Sequence, residues 1–297
     1  MTAHAKQIGI IGLGLMGTVM ARRLMAAGFT VTGFDPRQEA RAGLETIGGT
    51  AVASIAHVAR HCPVAVISVF DTAQVEDVIE GPHGVLSVPS GERQLETVIN
   101  TSTCDPDRVT ALAERAGTKG LGFVELPISG TSDQVARGDG YGLVAGDETL
   151  AEAAHDVISA ICPRTAYMGE FGNGAKTKLA INLVLGLNRA ALAEGLVFAE
   201  RMGLPLQSFL DAAKASAAYS QIMDVKGGKM IARDFSPHGK VGQSAKDFGL
   251  ILAAGRSRGQ ALPLASVYAD LMAGCIDAGE SDLDNAAVIA EIARRKA

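Results

Sequence analysis

At 297 residues the chain is long for one compact core and comfortable for two domains. Hydrophobic residues make up 47% and charged residues 20%, which excludes a disordered tail. A formal net charge of −5, no Trp and 4% aromatic residues argue against a nucleic-acid binder, which needs a basic field or stacking platforms.

The first stretch, MTAHAKQIGIIG, lacks the basic-then-apolar layout of a signal peptide and runs straight into a strand, QIGIIG. MGTVMARRLMAAG follows as a helix closed by Gly28, and TVTGFD as a second strand. PVAVISV, LETVIN and GFVELP are later strands, nearly continuously apolar, as strands covered on both faces must be. Alternation of strand and helix at this spacing predicts a mostly parallel, doubly wound α/β sheet with right-handed crossovers, assigned to residues 1–166. From about Gly169 the character changes. NGAKTKLAINLVLGLNRAALAEGLVFAERMG places apolar residues three and four apart over about eight turns, ending at Gly203 before Pro205. A helix of that length serves as a spine between domains. PLQSFLDAAKAS, AKDFGLILAAGRSRG, LPLASVYADLMAGCIDAG and DNAAVIAEIARRK then read as successive helices, giving an all-helical domain over 167–297 for substrate binding and oligomerisation. No run reaches roughly 18 uninterrupted apolar residues, so no membrane partner is expected. Cys62, Cys104, Cys162 and Cys275 are scattered, without zinc or disulfide spacing, so no metal and a reduced, cytoplasmic setting are expected.

The first chemistry-bearing motif is IGLGLMG. Gly12 permits a tight turn, Gly14 lets backbone approach a pyrophosphate, and Gly17 lets the helix pack close on the sheet. Leu13, Leu15 and Met16 lie between them, where the first helical N–H groups favour phosphate oxygens. Asp35, at the end of the next strand, stands where an acid accepts the ribose hydroxyls of NAD and repels the 2′-phosphate of NADP. The other reading is a plain turn with Asp35 capping PRQEARAG, but the strand–turn–helix context favours the dinucleotide. NAD is preferred over NADP, although Arg37 stands close enough to meet a phosphate.

Four further patterns resemble one family. ELPISGT, Glu125 to Thr131, is similar to the D-x-P-x-S-G-G substrate loop of the β-hydroxyacid dehydrogenases, the 3-hydroxyisobutyrate dehydrogenase-like enzymes. GNGAKTKLAIN resembles their G-x-G-x-x-x-K-x-x-x-N helix start, AKDFGLIL their K-D-L-x-L-A segment, and NTSTCDP their S-T-x-x-P turn. The resemblance implies a Rossmann domain followed by a helical domain hung on one long helix, with the active site in the cleft between them. It implies that Lys178 is the catalytic lysine and that Asn182 holds substrate or lysine. Ser129 and Gly130 would bind the substrate carboxylate, with Thr131 beside them, and Val69, Phe70, Thr103 and Lys246 would contact the cofactor near its nicotinamide end. Glu125 and Thr131 depart from the family's Asp and second Gly, and DQVARGDGYG from its usual ending, which weakens transfer of substrate identity but not of reaction type.

Oxidising an alcohol by hydride transfer needs a group to take the hydroxyl proton, and a lysine can do so in a cleft that disfavours its charge. Lys178 and Asn182 are four apart and share a helix face, with Gly174 one turn earlier expected to leave room for a ligand. A cation near a helix N-terminus opposes the macrodipole, poor design for a merely structural residue. Arg189 projects from nearly the same face but three turns away, and Lys176 faces elsewhere. His57 and His61 favour a solvated face over a metal pair, and Cys104 a buried neutral thiol. Arg294, Arg295 and Lys296 are simplest as a basic helix end, while Tyr219 and Phe235 fit either pocket or core.

The expected function is that of an NAD(P)-dependent oxidoreductase acting on the CH–OH group of a small β-hydroxyacid or its semialdehyde, as a homodimer or homotetramer. Two alternatives are an imine reductase, which usually replaces the lysine, and a non-catalytic binding protein on the same fold.

Overall fold

The computed structural model describes residues 7–296. The chain divides into two compact units, Met1–Lys178 and Leu179–Ala297.

The first unit opens with β1 (Gln7–Ile11), α1 (Leu15–Ala26), β2 (Thr30–Phe34), α2 (Gln38–Thr46), β3 (Thr50–Ala51) and α3 (Ile55–His61). It continues with β4 (Val64–Ile67), α4 (Thr72–Glu80), β5 (Thr97–Asn100), α5 (Pro106–Thr118) and β6 (Gly122–Glu125). β7 (Ile128–Ser129), α6 (Ser132–Arg137), β8 (Tyr141–Gly146), α7 (Glu148–Ala153), α8 (His155–Ile161) and β9 (Arg164–Tyr167) follow. The sheet order is β3-β2-β1-β4-β5-β6-β8-β7, with β9 paired to β8. β1 to β6 are parallel throughout, as the apolar strand runs predict, and both faces are covered. One face is packed by α3, α4 and α5 around Val58, Val75 and Leu112, the other by α1 and α8 around Met20, Leu24 and Ile158. Order reverses between β1 and β4, so the turns leaving these two strands meet at the switch point where doubly wound sheets bind ligands.

The far edge differs from the sequence reading. GFVELP ends as a strand at Glu125, and the chain restarts as β7 after Pro127, which has no N–H to give a ladder. β8 then runs antiparallel to both β6 and β7.

α9 (Asn173–Arg201) starts in the first unit and continues into the second. Residues 167–178 belong with the first unit, beyond the boundary expected after residue 166, because Phe171 packs edge-on against Phe123 at 5.2 Å and the first turn of α9 is hydrogen-bonded to Glu125. By length and composition α9 is the one helix, among the described residues, that could cross a membrane. It has no unbroken apolar run of that length, because Lys178, Arg189 and Glu194 are spaced among Leu, Ala and Gly. Lys178 and Arg189 are both buried with protein hydrogen-bond partners, which is how a protein core accommodates charge.

The second unit adds α10 (Leu206–Ala215), α11 (Gln221–Ala232), α12 (Val241–Ser257), α13 (Pro263–Asp277) and α14 (Val288–Arg294) to the remainder of α9. Its core is built on Tyr268, Phe248, Met230 and Met272. α11 is absent from the helices expected from the sequence, because adjacent Gly227 and Gly228 depress helix propensity. Gly227 is there for packing: a β-carbon on it would lie 2.7 Å from Leu210, so its absence lets α10 and α11 approach.

Candidate dinucleotide and substrate site

Three glycines after β1 have separable physical reasons. Gly12 has φ of 98°, open to glycine at little cost, and donates its N–H to Phe34 O at 2.8 Å. A β-carbon at Gly12 would collide with Ser68 O, and one at Gly17 with Gly12 O. Both are therefore required by folding alone. Gly14 is not: a β-carbon there would meet nothing within 4 Å. It is the N-cap of α1, and no side chain caps that helix. The N–H groups of Leu15, Met16 and Gly17 thus form an anion cradle at the sheet's switch point, which fits the pyrophosphate of a dinucleotide.

Asp35 ends the next strand and is buried. Its Oδ2 accepts Leu13 N–H at 2.9 Å and its Oδ1 accepts Arg37 N–H at 2.9 Å. The Arg37 guanidinium forks onto both oxygens, at 2.9 Å each, while remaining largely exposed. Burial works to raise the Asp35 pKa, but the Arg37 fork and the two N–H groups hold it below the usual carboxylate value. The N-cap of α2 is Arg37, so Asp35 is not the helix cap that the plainer reading of PRQEARAG required. Arg41 Nη1 reaches Asp35 O at 2.6 Å, which puts two guanidinium groups beside this acid.

On the turn after β4, Val69 donates its N–H to Ser102 Oγ at 3.0 Å, and Phe70 donates its own to Gln74 Oε1 at 2.8 Å. Phe70 is exposed, whereas Thr103 and Cys104 are buried on the neighbouring turn after β5. Ser102, the serine of the S-T-x-x-P match in NTSTCDP, ties the two turns, a role that the pattern does not reveal.

Lys178 lies on the first turns of α9. The residue is 8% exposed, and Nζ donates to Ile128 O at 2.7 Å. Ile128 belongs to β7, so Ser129 and Gly130, the predicted carboxylate-binding pair, follow directly on the residue that holds the amine. Gly130 has φ of 149°, which favours glycine. Thr131 caps α6: its Oγ accepts Gln134 N–H at 3.3 Å, and Gln134 Oε1 accepts Thr131 N–H at 2.9 Å. This capping box was legible as T-S-D-Q, a threonine followed three residues later by Gln. Glu125, noted in the sequence only as a departure from Asp, accepts N–H groups from Gly172, Gly174 and Ala175. Burial pushes its pKa up against those three donors. Gly174 accordingly makes room for Glu125 and Leu143 O, not for a ligand: a β-carbon there would sit 3.1 Å from Glu125 Cβ and 3.2 Å from that carbonyl. Lys176 is exposed on another face, as expected, with Nζ 3.3 Å from Asn173 Oδ1.

In the second unit, Asn182 Nδ2 donates to Asp247 Oδ2 at 2.9 Å, and Lys246 Nζ stands 2.8 Å from Asp247 Oδ1. Asp247 joins two residues that the sequence singled out separately; its position beside Lys246 in AKDF was the available signal. Arg189 is buried, its Nη1 on Tyr268 OH at 2.5 Å. Tyr219 is exposed with its hydroxyl on Asp224, and Phe235 packs on the second unit's core. His57 and His61 are exposed and stacked, and among the described residues no cluster could hold a metal ion. Arg294 and Arg295 pair with Glu280, Glu291 and Asp270, a fuller engagement than a dipole effect.

A Rossmann sheet with an uncapped glycine turn at its switch point defines a dinucleotide-binding fold, and a buried lysine stands beside its Ser-Gly loop. Residues 7–169 match the family model for the NAD binding domain of 6-phosphogluconate dehydrogenase. Residues 172–292 match the family model described as NAD-binding of NADP-dependent 3-hydroxyisobutyrate dehydrogenase. Glyoxylate/succinic semialdehyde reductase 1 of Arabidopsis thaliana is 30% identical over 95% of this chain and 97% of its own. The human cytokine-like nuclear factor N-PAC is 31% identical over 97% of this chain, which spans only 51% of that protein's length. A 3-hydroxyisobutyrate dehydrogenase from Salmonella typhimurium superposes with a TM-score of 0.85 at 27% identity, covering 96% of this chain and 99% of that one. The chain belongs to the β-hydroxyacid dehydrogenase family, 3-hydroxyisobutyrate dehydrogenase-like.

Proposed function

We propose that the protein moves hydride between a nicotinamide dinucleotide and a small β-hydroxyacid or its semialdehyde, of the size of 3-hydroxyisobutyrate. The observation that carries this reading is Lys178, a buried amine tethered to Ile128 O immediately before Ser129 and Gly130. When bound, the dinucleotide supplies the hydride acceptor or donor. Lys178 takes the hydroxyl proton during oxidation and returns it during reduction, while the Ile128 carbonyl fixes the amine's direction. Ser129 and the Gly130 N–H are donors for the substrate carboxylate. The Thr131 oxygen already accepts a bond, but its hydroxyl hydrogen remains available to the same anion. Asn182, one helical turn after Lys178, has its amide nitrogen on Asp247, which leaves its carbonyl oxygen to accept from substrate or lysine. Val69, Phe70, Thr103 and Lys246 are assigned to the nicotinamide end of the cofactor.

The retained Lys178 weighs against the imine reductase alternative, and the intact glycine cradle against a purely non-catalytic role. The test is turnover of NAD and NADP, side by side, with a panel of small β-hydroxyacids, semialdehydes and cyclic imines. Turnover of cyclic imines alone would favour the reductase alternative, and no hydride transfer with any of them a binding protein.

NAD is the proposed preference, because Asp35 presents a carboxylate and occupies the Arg37 fork. For Asp35→Ala, we expect NAD to bind about tenfold more weakly and NADP to gain relative to it, as the freed guanidinium meets the 2′-phosphate. Titration of both cofactors by fluorescence checks this, and an unchanged NAD-to-NADP ratio would reduce Asp35 to a structural tie. A cytoplasmic homodimer or homotetramer completes the proposal, supported by four free cysteines and by Val184 and Phe198 exposed on α9. Light scattering reads the assembly directly.

A further inference from the structure

Glu125 is the most completely enclosed carboxylate of the first unit, at 1% exposure. Its Oε2 accepts Gly172 N–H at 2.7 Å and Gly174 N–H at 3.2 Å, and its Oε1 accepts Ala175 N–H at 3.1 Å. These donors surround the start of α9, where helical N–H groups have no intrahelical partner. Lys178 follows Gly174 by one turn of the same helix, and its amine returns to Ile128 O, three residues after Glu125. The segment from Glu125 to Ile128 therefore grips α9 twice, once by a carboxylate at its start and once by a carbonyl at Lys178. Gly174 is part of the grip. Alanine would serve a helix better, yet its methyl would come 3.1 Å from Glu125 Cβ and 3.2 Å from Oε2.

We propose that Glu125 is a positioning residue for the reaction: its carboxylate sets the rotation and axial placement of the first turns of α9, so that the Lys178 amine meets Ile128 O beside Ser129. The proposal rests on the proton-relay reading of Lys178. A carboxylate that merely capped a helix would affect stability and leave the chemical step alone. A positioning residue governs the rate, because displacement of a reacting group by about 1 Å can cost about 100-fold.

Two variants of the full chain test this. Glu125→Gln keeps the side-chain length but offers one acceptor oxygen in place of two. Gly174→Ala leaves Glu125 intact and pushes it away with a methyl, while favouring the helix itself. For each, acylation of Lys178 by a small N-hydroxysuccinimide ester is followed by mass spectrometry, with Lys176 as the internal reference, and needs no substrate. NAD affinity and the kcat and KM for 3-hydroxyisobutyrate are measured alongside. We expect Lys178 labelling to rise about tenfold relative to Lys176, kcat to fall about 10- to 100-fold, and NAD affinity to stay within about twofold. If Glu125→Gln does not fold, Gly174→Ala decides alone. Folded variants with Lys178 labelling and kcat within about twofold of the parent overturn the proposal. If labelling rises as expected but the parent chain turns over no hydroxyacid, the reaction assignment fails and the positioning of Lys178 stands.

Discussion

Lys178→Ala is expected to lower kcat by about 100- to 10,000-fold, the range contributed by a placed acid–base group, while the protein still folds and binds the dinucleotide. The structural cost is the smaller of the two effects. Removing the amine leaves Ile128 O without its 2.7 Å donor, worth about 1–3 kcal/mol to the fold. The loss in rate corresponds to about 3–5 kcal/mol in the barrier. Cofactor affinity is expected to hold, because the cradle is built from Gly14 and the first turn of α1. Lys178→Arg separates proton transfer from charge: a guanidinium keeps the positive charge but does not release a proton near neutrality, so it restores nothing. Single-turnover hydride transfer by absorbance at the nicotinamide band, with circular dichroism for folding, measures both. A folded Lys178→Ala protein that keeps its rate would remove Lys178 from the mechanism.

What could be read from the sequence was whatever is local along the chain. The Gly12, Gly14, Gly17 turn was legible because strand, turn and helix are contiguous, and α9 because its apolar spacing runs for many turns. Lys178 stands out through its match to the family's lysine, four residues before Asn182, since a lysine at a bare helix start reads first as solvated; its burial is a matter of the folded chain. Pairings across sequence distance were not. Glu125 meets α9 some 50 positions later, and nothing in ELPISGT announces that its carboxylate faces backbone donors. Gly174 suggests room for a ligand until the neighbours that fill its space, Glu125 and Leu143 O, are known. Arg189 was placed on a helix face but not against Tyr268, 79 residues on. Lys226, in DVKGGK, looks like any solvated helical lysine; its partner Asp284 lies in a loop 58 residues away.

That buried pair carries the largest effect expected on stability. Lys226 Nζ lies 2.7 and 2.8 Å from the two carboxylate oxygens of Asp284, and both side chains are almost wholly excluded from solvent. Asp284 also accepts N–H groups from His238 at 2.8 Å, Gly239 at 3.3 Å and Ala286 at 2.9 Å. Burial works to raise its pKa, but Lys226 and the backbone donors win and hold it below 3.8. Burial likewise lowers the Lys226 pKa, with Asp284 opposing. Asp284→Ala leaves a buried ammonium without its counter-charge and three N–H groups without an acceptor, and should cost about 3–5 kcal/mol. Lys226→Met should cost less, because the carboxylate it strands keeps its three backbone donors. Replacing both partners by apolar residues should not restore the parent, since those N–H groups stay unsatisfied. Because the folded-state pKa of Asp284 is depressed, its contribution is present above pH about 4 and is lost as pH falls through the folded value. The difference between parent and Asp284→Ala should therefore narrow in acid. Urea unfolding at pH 7 and pH 3 reads the ranking and its pH dependence together. An Asp284→Ala protein within about 1 kcal/mol of the parent at pH 7 would mean that water or relaxation replaces the pair at little cost.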